Sequence, residues 1–458
     1  MQLRIENIGP IGSAVIDLTG LTVIGGLNDT GKSTIGKSIF AVVKAIRNKE
    51  QEYTSVQRSR VNAILSELTS ELRNALGPKI SPASLISATR SFTGNSTFDQ
   101  ETPEILEKSL GHLKAVILRE IGRRIFRQNI SRQIDTTDEV LADEDTSLTI
   151  IDHHIQRIRV LLTAKKDNKS IYANAFSNIM NSMFRGEINN KRAKSSPSYI
   201  EIWDNNAKIF GTHFQDNISK DFYIEEITIS ELFDDVTLLE SPMVLTYEDA
   251  GTYYPDASSG HYYGDYPAYD LMQKLQFATK ELEADNGLER EINEKISEII
   301  KGKIYFDLDE GEFIFSSIDE IQVKITNTAS GVKTLGIMQM LARAGVLTGT
   351  NLLIVDEPEV HLHPEWQIVY AEIIAILVKK YNIYCLISSH SPYFIQSIEA
   401  YSKLYNMQDL TKFYITNKDK NTSNSNIEDI TSDPEPLYKL LADPMKRIAF
   451  LRAKAQDE

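Results

Sequence analysis

The ten residues GGLNDTGKST, at positions 25–34, restrict the possible folds of this chain more than any other segment. The part from Gly26 to Ser33 fits the pattern G-x-x-x-x-G-K-[ST], in which backbone N–H groups curl around phosphates. The run LTVI at 21–24, typical of a buried strand, precedes it, and apolar residues at helical spacing follow it to about Asn48. A strand, a glycine loop and a helix in this order predict a phosphate-binding loop within an α/β fold.

The residue types of this loop have separate expected roles. Lys32 is expected to reach the β- and γ-phosphates of a nucleotide, and the hydroxyl of Ser33 is expected to bind Mg²⁺. Asp29 is unusual among phosphate-binding amides, so its side chain must point away or cap a neighbouring turn. The residues expected to contact the nucleotide here are Gly26, Asn28, Asp29, Thr30, Gly31, Lys32, Ser33 and Thr34.

The composition is that of an ordinary globular protein. The 458 residues are 41% hydrophobic and 25% charged, which is ample for a core. No apolar run approaches the roughly 18 residues of a membrane helix, and MQLRIENIGP lacks the apolar region of a signal peptide, so we expect a cytoplasmic protein without membrane contact. The single cysteine, Cys385, excludes intrachain disulfides and cysteine-based zinc sites. With a net charge of −15, any nucleic acid must bind to a local patch.

A second group of chemistry-bearing residues lies much later in the chain. The apolar run at 352–355 suits a central parallel strand and ends in Asp356 and Glu357, where ligands bind in α/β sheets. Asp356 is expected to hold Mg²⁺ through water, and Glu357 to act as general base on the attacking water. A further strand at 383–387 leads into SSHSP, so His390 is expected at the same sheet edge, near a γ-phosphate.

Together with NTASGVKTLGIMQML at 327–341, these motifs resemble the ABC-type ATPase heads of the SMC, RecF and OLD class. The resemblance implies that Ser330, Gly331 and Lys333 contact the γ-phosphate bound to a second subunit. From the residues alone, Ser330 and Gly331 open a helix whose N-terminus suits an anion, and an ordinary helix cap would look the same. Typical heads carry L-S-G-G-[QE], whereas TASGVKT is closer to the RecF and OLD side.

The segment VDEPEVHLHPEWQ at 355–367 is similar to OLD-type ATPases. The resemblance implies ATP and Mg²⁺ as ligands and a head-to-tail homodimer, or a higher oligomer, with ATP at the interface. It extends to stand-alone anti-phage ATPases such as PtuA of Septu and AriA of PARIS, sensor or scaffold subunits that regulate a separate effector nuclease. Because only 68 residues (458 minus 390) follow His390, too few for the Toprim domain of OLD nucleases, we expect a separate HNH or Toprim effector. The glutamine of the Q-loop has no identified position.

Two other functions stay open. One is a RecF-like DNA-repair ATPase that binds DNA through an insertion, and the other is a low-turnover scaffold that ATP only stabilises. A basic stripe along one helix could contact nucleic-acid phosphates, or it could be a solvated face paired with an exposed acidic loop at 135–147. The stripe consists of Arg119, Arg123 and Arg127, with Lys114, Arg124 and Arg132 beside it.

Three further patterns have competing interpretations. His361 and His363 could bind a metal or pack in a loop at a dimer interface, and two histidines alone make a weak metal site. Asp152-His153-His154 is similar to a phosphoesterase string but falls on a predicted helix. Asp307-Leu308-Asp309 is similar to a Toprim D-x-D, but the alternation in KIYFDLDEGEFIF predicts a hairpin.

We therefore predict an α/β fold, an ABC-type P-loop ATPase head with a mixed or parallel sheet and flanking helices, interrupted by a largely helical insertion. The head is expected to be split between 1–50 and 197–425, with the insertion at 51–196 and a helical tail at 426–458. The pattern also predicts a strand region at 236–247, a long helix at about 268–301, and a tail with one strand (KFYIT) followed by a polar loop.

Overall fold

The structure is a computed structural model, and the residues that it describes are 1–76, 103–132, 137–164, 167–193, 196–246, 253–255, 262–264, 266–279, 287–419 and 422–456. The chain divides into two compact units. The first, called the head unit below, comprises Met1–Asn48, Tyr172–Tyr253 and Gly264–Glu458. The second, called the helical unit, comprises Lys49–Ile171 and Tyr254–Tyr263.

The described part of the chain forms the following helices and strands, numbered across both units. The described α-helices are α1 (Lys32–Arg47), α2 (Lys49–Leu76), α3 (Pro103–Arg132), α4 (Thr137–Thr163), α5 (Asn168–Phe184), α6 (Glu226–Leu232), α7 (Tyr266–Leu275), α8 (Gly287–Ile300), α9 (Ser330–Arg343), α10 (Pro364–Tyr381), α11 (Pro392–Leu404) and α12 (Glu435–Gln456). The described strands are β1 (Gln2–Ile8), β2 (Ile11–Asp17), β3 (Leu21–Gly25), β4 (Ser198–Asp204), β5 (Ala207–Gln215), β6 (Ile218–Ile224), β7 (Asp235–Leu239), β8 (Tyr253–Pro255), β9 (Tyr262–Gly264), β10 (Gly302–Asp307), β11 (Glu312–Ser317), β12 (Gln322–Lys324), β13 (Asn351–Asp356), β14 (Tyr384–Ser389), β15 (Thr411–Lys418) and β16 (Ser425–Asp429). Among these helices none is both long and apolar enough to cross a membrane.

The head unit is built on an 11-stranded mixed sheet with the order β6-β5-β4-β1-β2-β16-β15-β3-β14-β13-β7. The strands from β15 to β7 are parallel to one another, whereas β6, β5, β4, β1 and β2 pair antiparallel. In the parallel half Gly25 lies opposite Ser389, and Asp356 lies opposite Ser388. The strands that precede the predicted site residues therefore end at one edge of the sheet.

Two hydrophobic cores enclose the parallel half of the sheet. Leu352 and Ile354 of β13 belong to the same core as the apolar face of α1. Leu353 and Val355, which alternate with them, belong to the core that contains residues of α9, α10 and α11. Because both faces are covered, the strand is apolar throughout, as a central parallel strand should be. The predicted α/β fold with a mixed sheet and flanking helices is confirmed.

The predicted hairpin is present as β10 and β11, but three predictions about other elements are wrong. The strand region at 236–247 is a strand only over Asp235–Leu239, and a 3₁₀ helix follows at Pro242–Thr246, because Pro242 has no N–H to donate to a ladder. The long helix at 268–301 is two helices, α7 and α8, because the chain leaves the helix at Gln276 and Thr279 bridges to Phe306. The polar loop of the tail contains β16, which pairs with both β15 and β2.

The helical unit is formed by α2, α3 and α4 around a core of its own. Its buried residues recur at steps of three and four on each helix, so every helix presents one apolar stripe. These stripes are Val61, Leu65, Leu68 and Leu72; Leu106, Leu110, Leu113, Ile117 and Ile121; and Ile151, Ile155 and Ile158. The acidic stretch at 135–147 is not a loop where it is described, since α4 begins at Thr137. Acidic residues favour the first turns of a helix, because they complement its dipole.

The predicted basic stripe falls on α3, and only part of it is described. The side chains of Arg123, Arg124, Arg127 and Arg132 lie outside the described residues. Lys114, which belongs to the predicted group, lies 2.5 Å from Asp152. Two cations of α4 also contact acids: Arg157 contacts Glu67, and Arg159 binds Glu107 through two hydrogen bonds of 2.6 and 2.8 Å. Asp152-His153-His154 lies within α4, as predicted, and His154 is buried.

A buried network of two lysines and two aspartates joins α1, β7 and α7. Lys44 Nζ lies 2.5 Å from both Asp235 Oδ1 and Asp270 Oδ1, and Lys274 Nζ lies 2.9 and 3.0 Å from their second oxygens. Burial opposes charge on Asp235, but the two lysines together lower the pKa of its carboxyl below the ordinary value. The two positive charges of the lysines are therefore balanced only while both carboxylates are present.

Replacing Asp235 should be costly, because Asp270 alone would face two buried ammonium groups. We expect Asp235→Ala to lower the free energy of unfolding by about 3–5 kcal/mol, measured from the midpoint of chemical denaturation. Asp234→Ala is the matched control. Asp234 pairs with Arg47 at 3.3 Å with both side chains more than half exposed, so its loss should cost less than about 1 kcal/mol. Equal midpoint shifts in the two variants would contradict this role for the network.

Candidate active site

The glycine loop at 26–31 has a backbone that only its glycines can adopt without strain. Gly26 has φ 153° and Gly31 has φ 83°. A Cβ on Gly26 would lie 1.9 Å from Thr416 Oγ1, and one on Gly31 would lie 2.7 Å from Ile11 Cγ1. Helix α1 follows at Lys32 with Gly31 as its N-cap and no acidic residue in its first turn. Its positive end is therefore available to an anion.

The end of β15 holds this loop in place. Thr416 Oγ1 donates to Thr30 Oγ1 at 2.7 Å, and Thr30 in turn donates to the carbonyl of Leu27 at 2.8 Å. Asp29 has φ 58°, and its carboxylate lies 3.2 Å from Lys418 Nζ. An aspartate is tolerated in the loop because its charge is directed to this lysine. Sequence reasoning did not identify Thr416 or Lys418.

Lys32 is a buried ammonium on which three carboxylates act electrostatically. Its Nζ donates to the carbonyls of Leu27 at 2.8 Å and Gly26 at 3.3 Å. Burial lowers the pKa of Lys32 below its ordinary value, and the negative charges of Glu357, Asp356 and Glu359 oppose that lowering. The loop lysine and the acids after β13 are thus electrostatically coupled across the edge of the sheet. Ser33, the next residue of α1, is partly exposed.

The residues after β13 and β14 meet as their register requires. Asp356 Oδ1 accepts a hydrogen bond from Ser388 Oγ, and the N–H of Glu357 donates to the carbonyl of Ser388 at 2.8 Å. Glu357 has φ 50°, so the chain turns sharply at the end of the strand. Its carboxylate lies 3.5 Å from His390 Nδ1, and both side chains are about one-third exposed. Asp356, Glu357 and His390 therefore share one edge with Lys32.

Sequence reasoning missed a third acid, Glu359. The turn closed by Val360 N–H on the carbonyl of Glu357 (3.0 Å) brings this residue back towards the loop after β14. Its Oε1 accepts hydrogen bonds from Ser389 Oγ, His390 N–H and Ser391 N–H, and His390 Nδ1 lies 3.2 Å from the same atom. The only sequence signal was a second glutamate two positions after Glu357, in DEPE.

The segment predicted to bind a partner's nucleotide forms the start of α9. Ser330 is its first residue and Gly331 its second, and a Cβ on Gly331 would lie 3.0 Å from Trp366 and 3.1 Å from the carbonyl of His361. Lys333 is buried, its Nζ lies 3.4 Å from the carbonyl of Thr326, and burial lowers its pKa. Gly331 is needed here because the carbonyl of His361 and the ring of Trp366 pack directly on it.

The remaining polar motifs have structural contacts. His363 is the N-cap of α10, where its Nδ1 accepts from Glu365 N–H at 3.4 Å. Asp307 Oδ1 accepts from the N–H groups of Asp309 and Glu310, both at 3.0 Å, which caps the turn of the predicted hairpin. Within the described ranges, no three His, Cys, Asp or Glu side chains are grouped closely enough to hold a metal by themselves.

The chain has weak similarity to several solved structures. None of the curated proteins compared matches the sequence. Similar solved structures include the SMC head domain from Thermotoga maritima (10% identity, TM-score 0.36, 93% of this chain and 97% of that chain) and the SmcHead bound to the C-winged helix domain of ScpA (10%, 0.37, 93% and 96%). A third is the Smc head domain with an extended coiled coil from Pyrococcus furiosus (11%, 0.28, 98% and 98%). These identities and TM-scores are too low to support an argument about function.

One family model covers far more than half of the chain. The family model described as the AAA ATPase domain matches residues 1–395. This range contains the glycine loop, the acids after β13 and His390. The chain belongs to the AAA ATPase domain family.

Proposed function

We propose that the chain binds ATP and hydrolyses it to ADP and phosphate at the sheet edge where β3, β13 and β14 end. The observation that carries this proposal is the position of Lys32. It is a buried cation at the N-terminus of α1, and its charge interacts with Glu357, Asp356 and Glu359. This combination suits a phosphate group bound at a helix N-terminus and a water molecule activated by a carboxylate acting as general base.

Nucleotide binding would use the loop backbone and Lys32. The phosphates would contact the backbone amides of Gly26 and of Asn28–Thr34, which include the start of α1. Lys32 would exchange its two carbonyl partners for phosphate oxygens. Ser33 and Asp356 would supply hydroxyl and carboxylate oxygens, the hard donors that suit Mg²⁺. Ser33 follows Lys32 in α1, and the charge of Asp356 acts on Lys32. When bound, Mg²⁺ neutralises charge on the phosphates.

Hydrolysis would use Glu357 as the general base. Its carboxylate follows directly after β13 and is partly exposed, so a water molecule can reach it. Glu357 takes a proton from this water as the water oxygen bonds to the γ-phosphorus and the bond to the ADP oxygen breaks. His390, 3.5 Å from the same carboxylate, would contact the γ-phosphate group.

We further propose a head-to-tail homodimer in which Ser330, Gly331 and Lys333 of one subunit complete the site of the other. The start of α9 supports this, because its first turn contains no acidic residue and Ser330 is partly exposed. A helix N-terminus of this kind can bind an anion supplied by a second subunit.

At the level of biological role, we propose a sensor or scaffold subunit of a bacterial anti-phage complex that controls a separate nuclease. The similarity of VDEPEVHLHPEWQ to OLD-type ATPases supports this role. The test is whether an HNH or Toprim gene lies next to this one and whether protection from phage needs both genes.

Strong, salt-sensitive binding to plain duplex DNA would instead support a DNA-repair ATPase. The ion pair of Lys114 with Asp152 favours a solvated face over a DNA surface.

Lys32→Ala tests nucleotide binding directly. Loss of the ammonium removes charge-assisted contacts to phosphate, so the Kd for ATP should rise by about 10- to 100-fold in calorimetry. Lys439→Ala is the control, because Lys439 pairs with Glu435 on α12 and both side chains are more than half exposed. Unchanged ATP affinity in Lys32→Ala would remove the basis of the proposed function.

Glu357→Gln separates binding from hydrolysis. The amide keeps the size of the side chain but cannot accept the proton, so turnover should fall by about 10²- to 10⁴-fold while ATP still binds. Phosphate release and ATP calorimetry on the same preparation measure the two effects. Wild-type turnover in this variant would contradict the proposed base and favour the low-turnover scaffold.

The shared site can be tested by mixing two inactive variants. Lys32→Ala removes the loop function and Ser330→Arg blocks the start of α9, so each homodimer should be inactive. In a mixed head-to-tail dimer, one of the two sites would contain an intact loop and an intact Ser330. Equal mixing should therefore restore about a quarter of wild-type turnover. No recovery, despite exchange of subunits shown by differently tagged chains, would contradict the composite site.

A further inference from the structure

Glu359 is a buried carboxylate that the proposed mechanism does not use. Its side chain is 5% exposed. Its Oε1 accepts three hydrogen bonds, from Ser389 Oγ at 2.8 Å, His390 N–H at 2.6 Å and Ser391 N–H at 3.0 Å. All three donors belong to the junction between β14 and α11. One carboxylate from the segment after β13 therefore holds the neighbouring loop that carries His390.

Two buried atoms in this cluster make no hydrogen bond to any described residue. They are Oε2 of Glu359 and Nδ1 of His390. Nδ1 lies 3.2 Å from Glu359 Oε1 and 3.5 Å from Glu357 Oε1. Leaving such atoms unpaired costs roughly 1–3 kcal/mol each. A rotation of the imidazole that directs an Nδ1–H group to Oε2 of Glu359 would give both atoms a partner.

Of the two carboxylates, Glu359 is the better partner for the ring. Three hydrogen bonds hold it and solvent barely reaches it, whereas Glu357 is 35% exposed. A fixed carboxylate orients a histidine better than a mobile one, because the nitrogen that carries the proton is set by the bond that it makes. Glu357 must also remain free to accept a proton from water in the proposed reaction.

We propose that Glu359 is the positioning residue of His390. Its carboxylate receives the Nδ1–H group, which directs Nε2 towards the γ-phosphate group, where Nε2 donates a hydrogen bond when the ring carries its second proton, and keeps the imidazole from pairing with Glu357. The proposal rests on the proposed function for the use of Nε2, but the Glu359–His390 pairing itself does not depend on it.

The first test is Glu359→Gln. The amide oxygen can still accept the three loop hydrogen bonds, so the fold should persist, but the negative charge that selects Nδ1–H is lost. We expect kcat for ATP to fall by about 10- to 100-fold, the usual effect of removing such a partner, with KM nearly unchanged. Glu294→Gln makes the same chemical change on the exposed face of α8 and should leave kcat unaltered. A wild-type kcat in Glu359→Gln would overturn the proposal.

A double-variant cycle distinguishes positioning from general stabilisation. If Glu359 acts through His390, then Glu359→Gln should lower kcat no further in a His390→Ala background. An equal reduction in both backgrounds would show that the carboxylate supports the site without acting on the histidine, and the proposal would fail.

The tautomer of His390 can be read without ATP. In protein labelled with ¹⁵N-histidine, the His390 signals, assigned by their loss in His390→Ala, should report Nδ1–H in the wild type and a shift towards Nε2–H in Glu359→Gln. An unchanged tautomer in an active enzyme would overturn the pairing and leave the ATPase proposal intact. A tautomer shift in a chain without ATPase activity would support the pairing and contradict the proposed function.

A milder variant covers the case in which Glu359→Gln does not fold. Ser389→Ala removes one of the three hydrogen bonds to Oε1 and leaves the charge. The tautomer signal should then shift in the same direction by a smaller amount. No shift in a folded Ser389→Ala protein would count against the proposal.

Discussion

The site depends on the register of the parallel strands. Gly25 is level with Ser389, and Asp356 is level with Ser388, so three strand ends coincide at one edge. A slip of one residue would exchange the two faces of a strand, which two separate cores forbid because alternate residues of β13 belong to each. Hydrophobic packing therefore fixes where the carboxylates lie, although none of them takes part in that packing.

This geometry places more negative than positive charge around Lys32. Asp356, Glu357 and Glu359 all act on a single buried ammonium. A triphosphate entering such a site would meet repulsion from the acids as well as attraction from the lysine and the start of α1. The arrangement is thus suited to an anion that arrives with its own cation, which agrees with the proposed use of Mg²⁺. The Lys44 network differs, because there two cations and two anions balance each other and serve to join α1, β7 and α7.

The parts that could be predicted from the sequence are those encoded locally. The glycine loop, the apolar strands before it and before Asp356, and the position of His390 after β14 all follow from short patterns, and each is where the pattern indicated. Patterns also misled where context decides. SNIED in β16 is polar and becomes a strand only by pairing with β15 and β2. No local pattern marks Glu359 as special. Its contacts depend on a turn that brings it back to a loop 30 residues away.

The attachment of the glycine loop to β15 also could not be predicted from the sequence, because it depends on residues far apart in the chain. Thr416 and Thr30 are separated by 386 positions, and no local pattern links them. Their hydrogen bond is buried, whereas the neighbouring ion pair of Lys418 and Asp29 has side chains 44% and 81% exposed. Exposed pairs contribute little, so the attachment depends mainly on the two threonines. Gly26 is constrained by the same contact, since any side chain there would collide with Thr416. The glycine of the motif is thus required by the fold of this chain as well as by the phosphate it is proposed to bind.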